Sequence, residues 1–159
     1  MNMIPHTPDI LVVDDDPRNR RLLEEYLMAA GYDVRLAPDG RTALALASER
    51  PPDLVLLDVM MPDLSGLEVC RQLKNDPRTR LCQVVLVTAL DASPHRVEGL
   101  DKGADDYIAK PVRREEFMAK VRSMLRARRL TAELEEARET LALRNAKLEE
   151  LEGLKETLT

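Results

Sequence analysis

The sequence predicts an α/β fold in which a parallel sheet is wrapped by crossover helices. Three observations predict it. Apolar runs of strand length alternate with segments of helical period, the pattern of βα repeats. The first of these runs, DILVVD at 9–14, is fully apolar between its two aspartates, as a strand covered on both faces should be. A length of 159 residues allows one well-buried domain with residues left over, and excludes a second full domain.

The elements follow in order. After DILVVD, Pro17 opens a helix through LLEEYLMAAG that Gly31 closes. YDVRLA (32–37) is a second strand, half polar and therefore suited to an edge. A helix from Gly40 to Ser48 ends before the Pro51-Pro52 break, DLVLLD (53–58) is the third strand, and GLEVCRQLKN the third helix. QVVLVTA (83–89) is the fourth strand. Ser93 caps a fourth helix with Pro94 in its first turn, ending near Gly103. DDYIAKP closes with a short fifth strand that stops at Pro111. Right-handed crossovers are expected throughout. The strand order 2-1-3-4-5, the flavodoxin-like (βα)5 arrangement, would place strands one, three, four and five side by side.

From Arg113 onward the texture changes. Ala, Leu, Glu, Arg and Lys dominate, no proline follows Pro111, and the fifth helix is predicted to continue past the compact domain. Leu130, Leu134, Ala137, Leu141, Leu148, Leu151 and Leu158 fall on alternating three- and four-residue steps, the seam of a coiled coil, which Arg144 and Lys155 interrupt. With Leu134, Leu141 and Leu148 at a positions, Glu133 would face Arg138 and Lys147 would face Glu152 of a second helix. That favours a parallel, in-register homodimer. The expected boundaries are a tail at 1–8, a domain at 9–127 and a helical extension at 128–159.

Composition narrows the partners. With 24 Lys and Arg against 29 Asp and Glu, the chain is mildly acidic, which argues against a nonspecific nucleic-acid or anionic-membrane surface and for protein partners. Its start lacks a basic region followed by an apolar one, and no apolar run approaches the roughly 20 residues needed to span a bilayer. A soluble, cytoplasmic protein is expected. Cys70 and Cys82 have no metal-ligand spacing and read as buried, reduced thiols, and His6 and His95 as surface residues.

The stretch LVLLDVMMPDLSG puts a carboxylate, Asp58, at the tip of a buried strand, where desolvating a charge is costly unless it is compensated. In open parallel sheets the functional crevice lies beyond the carboxyl ends of the strands. The polar residues there are Asp14, Asp15 and Asp16 after strand one, Asp58 after strand three, Thr88 after strand four and Lys110 after strand five. Carboxylates about 4 Å apart repel by roughly 4 kcal/mol per pair at an effective dielectric of about 20, so they need a counter-ion. An all-oxygen, shallow, water-accessible site suits Mg²⁺, with Mn²⁺ an acceptable substitute. A phosphoryl group would account for Thr88 and Lys110 as well. One carboxylate, best Asp58, attacks phosphorus in line while an ammonium and a hydroxyl stabilise the equatorial oxygens. Asp14 and Asp15 are better placed to hold the metal.

VVDDD, LLDVMMPDLSG, VTA and DDYIAKP, taken together, resemble the receiver domain of two-component response regulators over roughly residues 8–127. The resemblance implies that Asp58 accepts phosphate from a phosphohistidine of a histidine kinase or a histidine phosphotransfer protein. It implies Mg²⁺ on Asp15, Asp58 and the backbone carbonyl of Met60, with Asp14 acting through water. Lys110 would pair with the phosphoryl group, Thr88 would move to bond it, and Tyr107 would swing into the space Thr88 leaves. A cis peptide before Pro111 also follows from the resemblance. Met60 and Leu90 stand two residues beyond Asp58 and Thr88, where family members often carry groups that orient the hydrolytic water; both are apolar here, so slow self-dephosphorylation is expected. Such a domain is a phosphoacceptor rather than an enzyme with an external substrate.

Other readings are weaker. Asp14 and Asp16 form the D-x-D of a haloacid-dehalogenase-type phosphatase, but Arg18 stands where that family has Thr or Val. Three acids after strand one would repel a flavin phosphate. A degenerate receiver serving only as a coiled-coil scaffold would not need an intact acidic site. The tail LEELEGLKETLT resembles linkers that lead from a receiver into the dimerisation helix of a histidine kinase, a diguanylate cyclase or a phosphodiesterase, so the chain reads as the front part of a longer one.

Overall fold

The computed structural model describes residues 6–89 and 101–158. Five parallel strands, β1 (Asp9–Val13), β2 (Asp33–Ala37), β3 (Leu54–Asp58), β4 (Gln83–Thr88) and β5 (Asp106–Ala109), form one sheet in the order β2-β1-β3-β4-β5. This is the flavodoxin-like order expected, with half-polar β2 at an edge. Helices α1 (Pro17–Ala29), α2 (Gly40–Glu49) and α3 (Gly66–Asn75) connect the first four strands, and a C-terminal helix spans Arg114–Leu158. The fourth helix expected after Ser93-Pro94 falls outside the described residues, as do Leu90 and His95.

The inner strands β1, β3 and β4 are buried along their whole length because both faces are covered, and alternation sorts their side chains into two cores. Leu11, Val13, Val55, Leu57, Val84 and Leu86 face one way, onto residues of α2 and α3 such as Ala43 and Leu73. Ile10, Val12, Leu54, Leu56, Val85 and Val87 face the other, onto Leu23 and Leu27 of α1 and Phe117 and Val121 of the C-terminal helix. Cys70 and Cys82 are free and buried in the first core, and burial pushes both thiols up to about 11.

Capping chemistry sets the helix ends. Asp16 accepts from the Arg18 N–H at 2.9 Å with Pro17 in the first turn of α1, and Asp39 accepts from Thr42 N–H at 2.7 Å at α2. At the far end of α1, Gly31 takes φ +89°, its N–H donating to the Met28 carbonyl and Tyr32 N–H to that of Leu27. This paired arrangement needs a left-handed residue, which is why the helix stops at that glycine. The Lys110–Pro111 peptide is cis.

Contacts divide the chain into two compact units, one ending at Arg128 and one running from Arg129. In the second unit the helix exposes Leu130, Leu134, Ala137, Leu141, Leu148 and Leu151. Leu143 and Leu154, off the predicted seam, are exposed as well.

Candidate functional site

The register of the sheet brings the acids together. Val13 pairs with Leu57, so the next residues, Asp14 and Asp58, sit side by side at the carboxyl ends of β1 and β3. Asp14, Asp15 and Asp58 each offer a carboxylate oxygen within 4.8 Å of the others. Asp14 and Asp58 are buried at 2 % and 6 % exposure, whereas Asp15 is exposed, so the group opens to solvent on one side. From β5, Lys110 reaches in: its Nζ donates to Asp14 Oδ2 at 3.1 Å and stands 3.7 Å from Asp58 Oδ2. Its backbone N–H donates to the Thr88 carbonyl at 2.8 Å, which ties the end of β5 to the end of β4.

One ammonium does not balance three carboxylates. Burial, opposed by Lys110 and reinforced by Asp14, raises the Asp58 carboxyl from 3.8 to about 6, with the Met60 N–H at 3.3 Å pulling it down and Asp15 pushing it up. The remaining oxygens form a hard, partly solvated donor set suited to a small divalent cation. Mg²⁺ therefore fits the residues present.

Backbone interactions aim these side chains. Asp14 Oδ1 accepts from Asp16 N–H at 2.9 Å, and the Asp14 carbonyl accepts from Arg20 Nη1 at 2.7 Å. Asp16 thus serves as the α1 cap, leaving two of the three consecutive acids for the cluster. Below Asp58 the loop closes tightly: Gly66 N–H donates to the Val59 carbonyl at 2.9 Å, and Asp63 accepts from the N–H groups of Gly40 and Arg41 at the start of α2. Ser65 Oγ accepts from Leu67 N–H at 3.1 Å and caps α3.

The remaining expected site residues are placed as follows. Thr88 is buried at the end of β4. Tyr107 pairs with Leu86, two residues before Thr88, so Thr88 and Tyr107 lie on the same face of the sheet. Tyr107 is half-buried; Lys120 Nζ lies 5.1 Å from its ring centroid and donates to its carbonyl at 2.6 Å. Met60 is exposed, and its N–H donates to Asp58 Oδ1 at 3.3 Å. His6 is a surface residue against Asp53, 2.8 Å from Oδ2.

Sequence reasoning missed a second polar cluster at the opposite end of the sheet. Asp9, buried at the start of β1, accepts from Arg35 Nε and Nη2 at 3.1 and 2.9 Å and from Arg50 Nε at 3.1 Å. Asp53, just before β3, accepts from the Asp9 N–H at 2.9 Å, and Arg128 lies 3.8 Å from its other oxygen. These residues come from distant parts of the chain, and no local spacing announces them.

A parallel five-stranded sheet with buried carboxylates and one lysine converging beyond its carboxyl edge defines a class of signalling domain. The family model for the response regulator receiver domain matches residues 10–122, and the chain belongs to that family. It is similar to the response regulator PleD of Caulobacter vibrioides, with 51% identity over 125 residues, 79% of this chain and 28% of PleD. It is also similar to the DNA-binding dual master transcriptional regulator RpaA of Synechocystis, with 45% identity over 119 residues, 75% of this chain and 49% of RpaA. The chain thus spans about half or less of the length of these curated relatives. Among solved structures, the signal receiver domain of a signal transduction histidine kinase from Syntrophus aciditrophicus superposes with a TM-score of 0.70 at 35% identity, covering 75% of this chain and 90% of that one. Among the described residues no helix is long and apolar enough to cross a membrane.

Proposed function

We propose that Asp58 is the phosphoacceptor of a two-component relay, taking its phosphoryl group from a phosphohistidine on a histidine kinase or histidine phosphotransfer protein. The P–N bond of the donor breaks as a carboxylate oxygen of Asp58 bonds to phosphorus, and the imidazole leaves. The observation that carries this reading is the position of Lys110 Nζ between Asp14 and Asp58, 3.1 and 3.7 Å from their oxygens. An ammonium already held at the nucleophile is preorganised for a phosphoryl oxygen.

Asp15, Asp58 and the Met60 carbonyl would hold Mg²⁺ directly, and Asp14 through water. Bound there, the ion supplies charge neutralisation for the incoming phosphoryl oxygens. Lys110 exchanges its carboxylate partner for a phosphoryl oxygen, and the Thr88 hydroxyl donates to another. Tyr107, on the same sheet face, turns inward as Thr88 moves. Apolar Met60 leaves the hydrolytic water without an orienting group, so the phosphorylated state is long-lived.

In this reading residues 9–127 are the receiver and 128–159 the linker. The change at Thr88 and Tyr107 alters the surface around β5, the C-terminal helix and the fourth helix that the sequence predicts after Ser93, and thereby the pairing of the extension in a parallel homodimer through Leu130, Leu134, Ala137, Leu141, Leu148, Leu151 and Leu158. The exposure of the described seam leucines supports that partner. The net charge of -5 supports a protein target over nucleic acid, with the cytoplasm as the setting. The receiver signals rather than turning over a substrate, and an output activity would belong to whatever the linker joins.

The test is labelling by acetyl phosphate with Mg²⁺, followed by intact-mass measurement. The native chain gains one phosphoryl group and Asp58→Asn gains none. Equal labelling of the two would overturn the assignment.

A further inference from the structure

Arg144 occupies a d position of the leucine seam, where a dimer would bury it. This inference rests on the parallel dimer proposed above. From Thr140 through Leu148 there is no carboxylate, while Arg144 and Lys147 both stand there; four glutamates lie in 133–139 and four more in 149–156. Within 133–156 a basic stretch is thus flanked on either side by an acidic one. Parallel, in-register pairing, which the Glu133–Arg138 and Lys147–Glu152 matches favour, sets Arg144 against its own copy with Thr140 and Asn145 on the flanks. None of these can neutralise a guanidinium. Glu139 and Glu149 are five residues away, on outward-facing positions, so the arginine must run its stem along the seam and keep its head in water.

We propose that Arg144 is the residue that sets how tightly this chain pairs with a second copy. Its layer is hydrated and self-repelling, and it splits the seam into Leu130–Leu141 and Leu148–Leu158, the second itself interrupted by Lys155. Each stretch is about the length at which a helix is marginal alone. A polar residue inside a seam trades stability for a single register. The extension is therefore left poised, and the state of the receiver decides whether it pairs.

The experiment is sedimentation of the full chain as wild type, Arg144→Leu and Arg144→Lys, with and without the acyl-phosphate mimic beryllofluoride and Mg²⁺. Arg144→Leu is expected to self-associate about tenfold or more tightly than wild type, as an apolar residue restores the seam. It should also respond little to beryllofluoride, while Arg144→Lys keeps the weak, beryllofluoride-sensitive association. If wild type dimerises and Arg144→Leu does so no more tightly, this inference is overturned and the dimer stands. If neither self-associates under any condition, the dimer itself is overturned and this inference with it.

Discussion

Gly66 lies so close beneath Asp58 that a Cβ on it would stand 2.1 Å from the Asp58 carbonyl oxygen and 2.9 Å from the Val59 Cα. Both obstacles are backbone, which cannot rotate aside. The first residue of α3 therefore packs directly against the backbone of the candidate phosphoacceptor. Gly66→Ala must displace either the end of β3 or the start of α3. A loss of about 1–3 kcal/mol is expected by denaturant titration, with slower acetyl phosphate labelling. Stability and labelling unchanged from wild type would refute the packing argument.

Gly153 provides the opposite case. It sits in the C-terminal helix with nothing within 4 Å of the place a methyl group would occupy, so alanine there meets no obstacle. Gly153→Ala should stabilise the helical extension by about 1 kcal/mol, because glycine in a helix interior loses more backbone freedom than alanine. Greater ellipticity at the helical minimum, retained to higher temperature, is the expected reading.

Asp58 makes stability depend on pH with a definite sign. Its folded carboxyl is raised to about 6 from 3.8, chiefly by burial, so between those values the folded state holds a proton that the unfolded state has released. This group's contribution is full below the unfolded value and is lost as pH rises through about 6. In protein kept free of divalent cations by a chelator, Asp58→Asn should gain on wild type as pH climbs from acid to neutral, by about 2–3 kcal/mol at the plateau. Unfolding curves of the two proteins at matched pH values measure that difference, and parallel curves at every pH would show that the carboxylate is not desolvated.

Among the described contacts Lys110 brings its ammonium to the carboxylate oxygens of this cluster, bonding Asp14 and approaching Asp58. Lys110→Ala should destabilise the protein at neutral pH by roughly 3 kcal/mol, since it leaves buried carboxylates unpaired. Adding Asp58→Asn should restore part of that loss, because the two substitutions act on one interaction. Strict additivity in the double-mutant cycle would argue that the ammonium and Asp58 do not interact.

Asp9 separates folding from function. It holds Arg35 through two hydrogen bonds and Arg50 through a third, at the opposite end of β1 from Asp14. Asp9→Asn should cost about 3 kcal/mol of stability while the labelling rate of the folded protein stays as in wild type. A labelling defect in protein shown to be folded would join the two ends of the sheet functionally.

The order of residues along the chain was enough to lay out the receiver: which runs are strands, that they are parallel, and that Asp14, Asp15, Asp58, Thr88 and Lys110 end up at strand tips. Those features are local, since an apolar run long enough for a strand and ended by a polar residue needs no distant partner to be recognised. The capping glycine at Gly31 was legible for the same reason. Folding in three dimensions was needed to show that Asp16 leaves the acidic group to cap α1, that Lys110 lies nearer Asp14 than Asp58, that Gly66 wedges under Asp58, and that Asp9 is paired with Arg35 and Arg50. Each of these depends on distances between groups whose spacing is set by strand register, by loop closure and by how closely a helix can approach the sheet, and composition and periodicity carry no record of such distances.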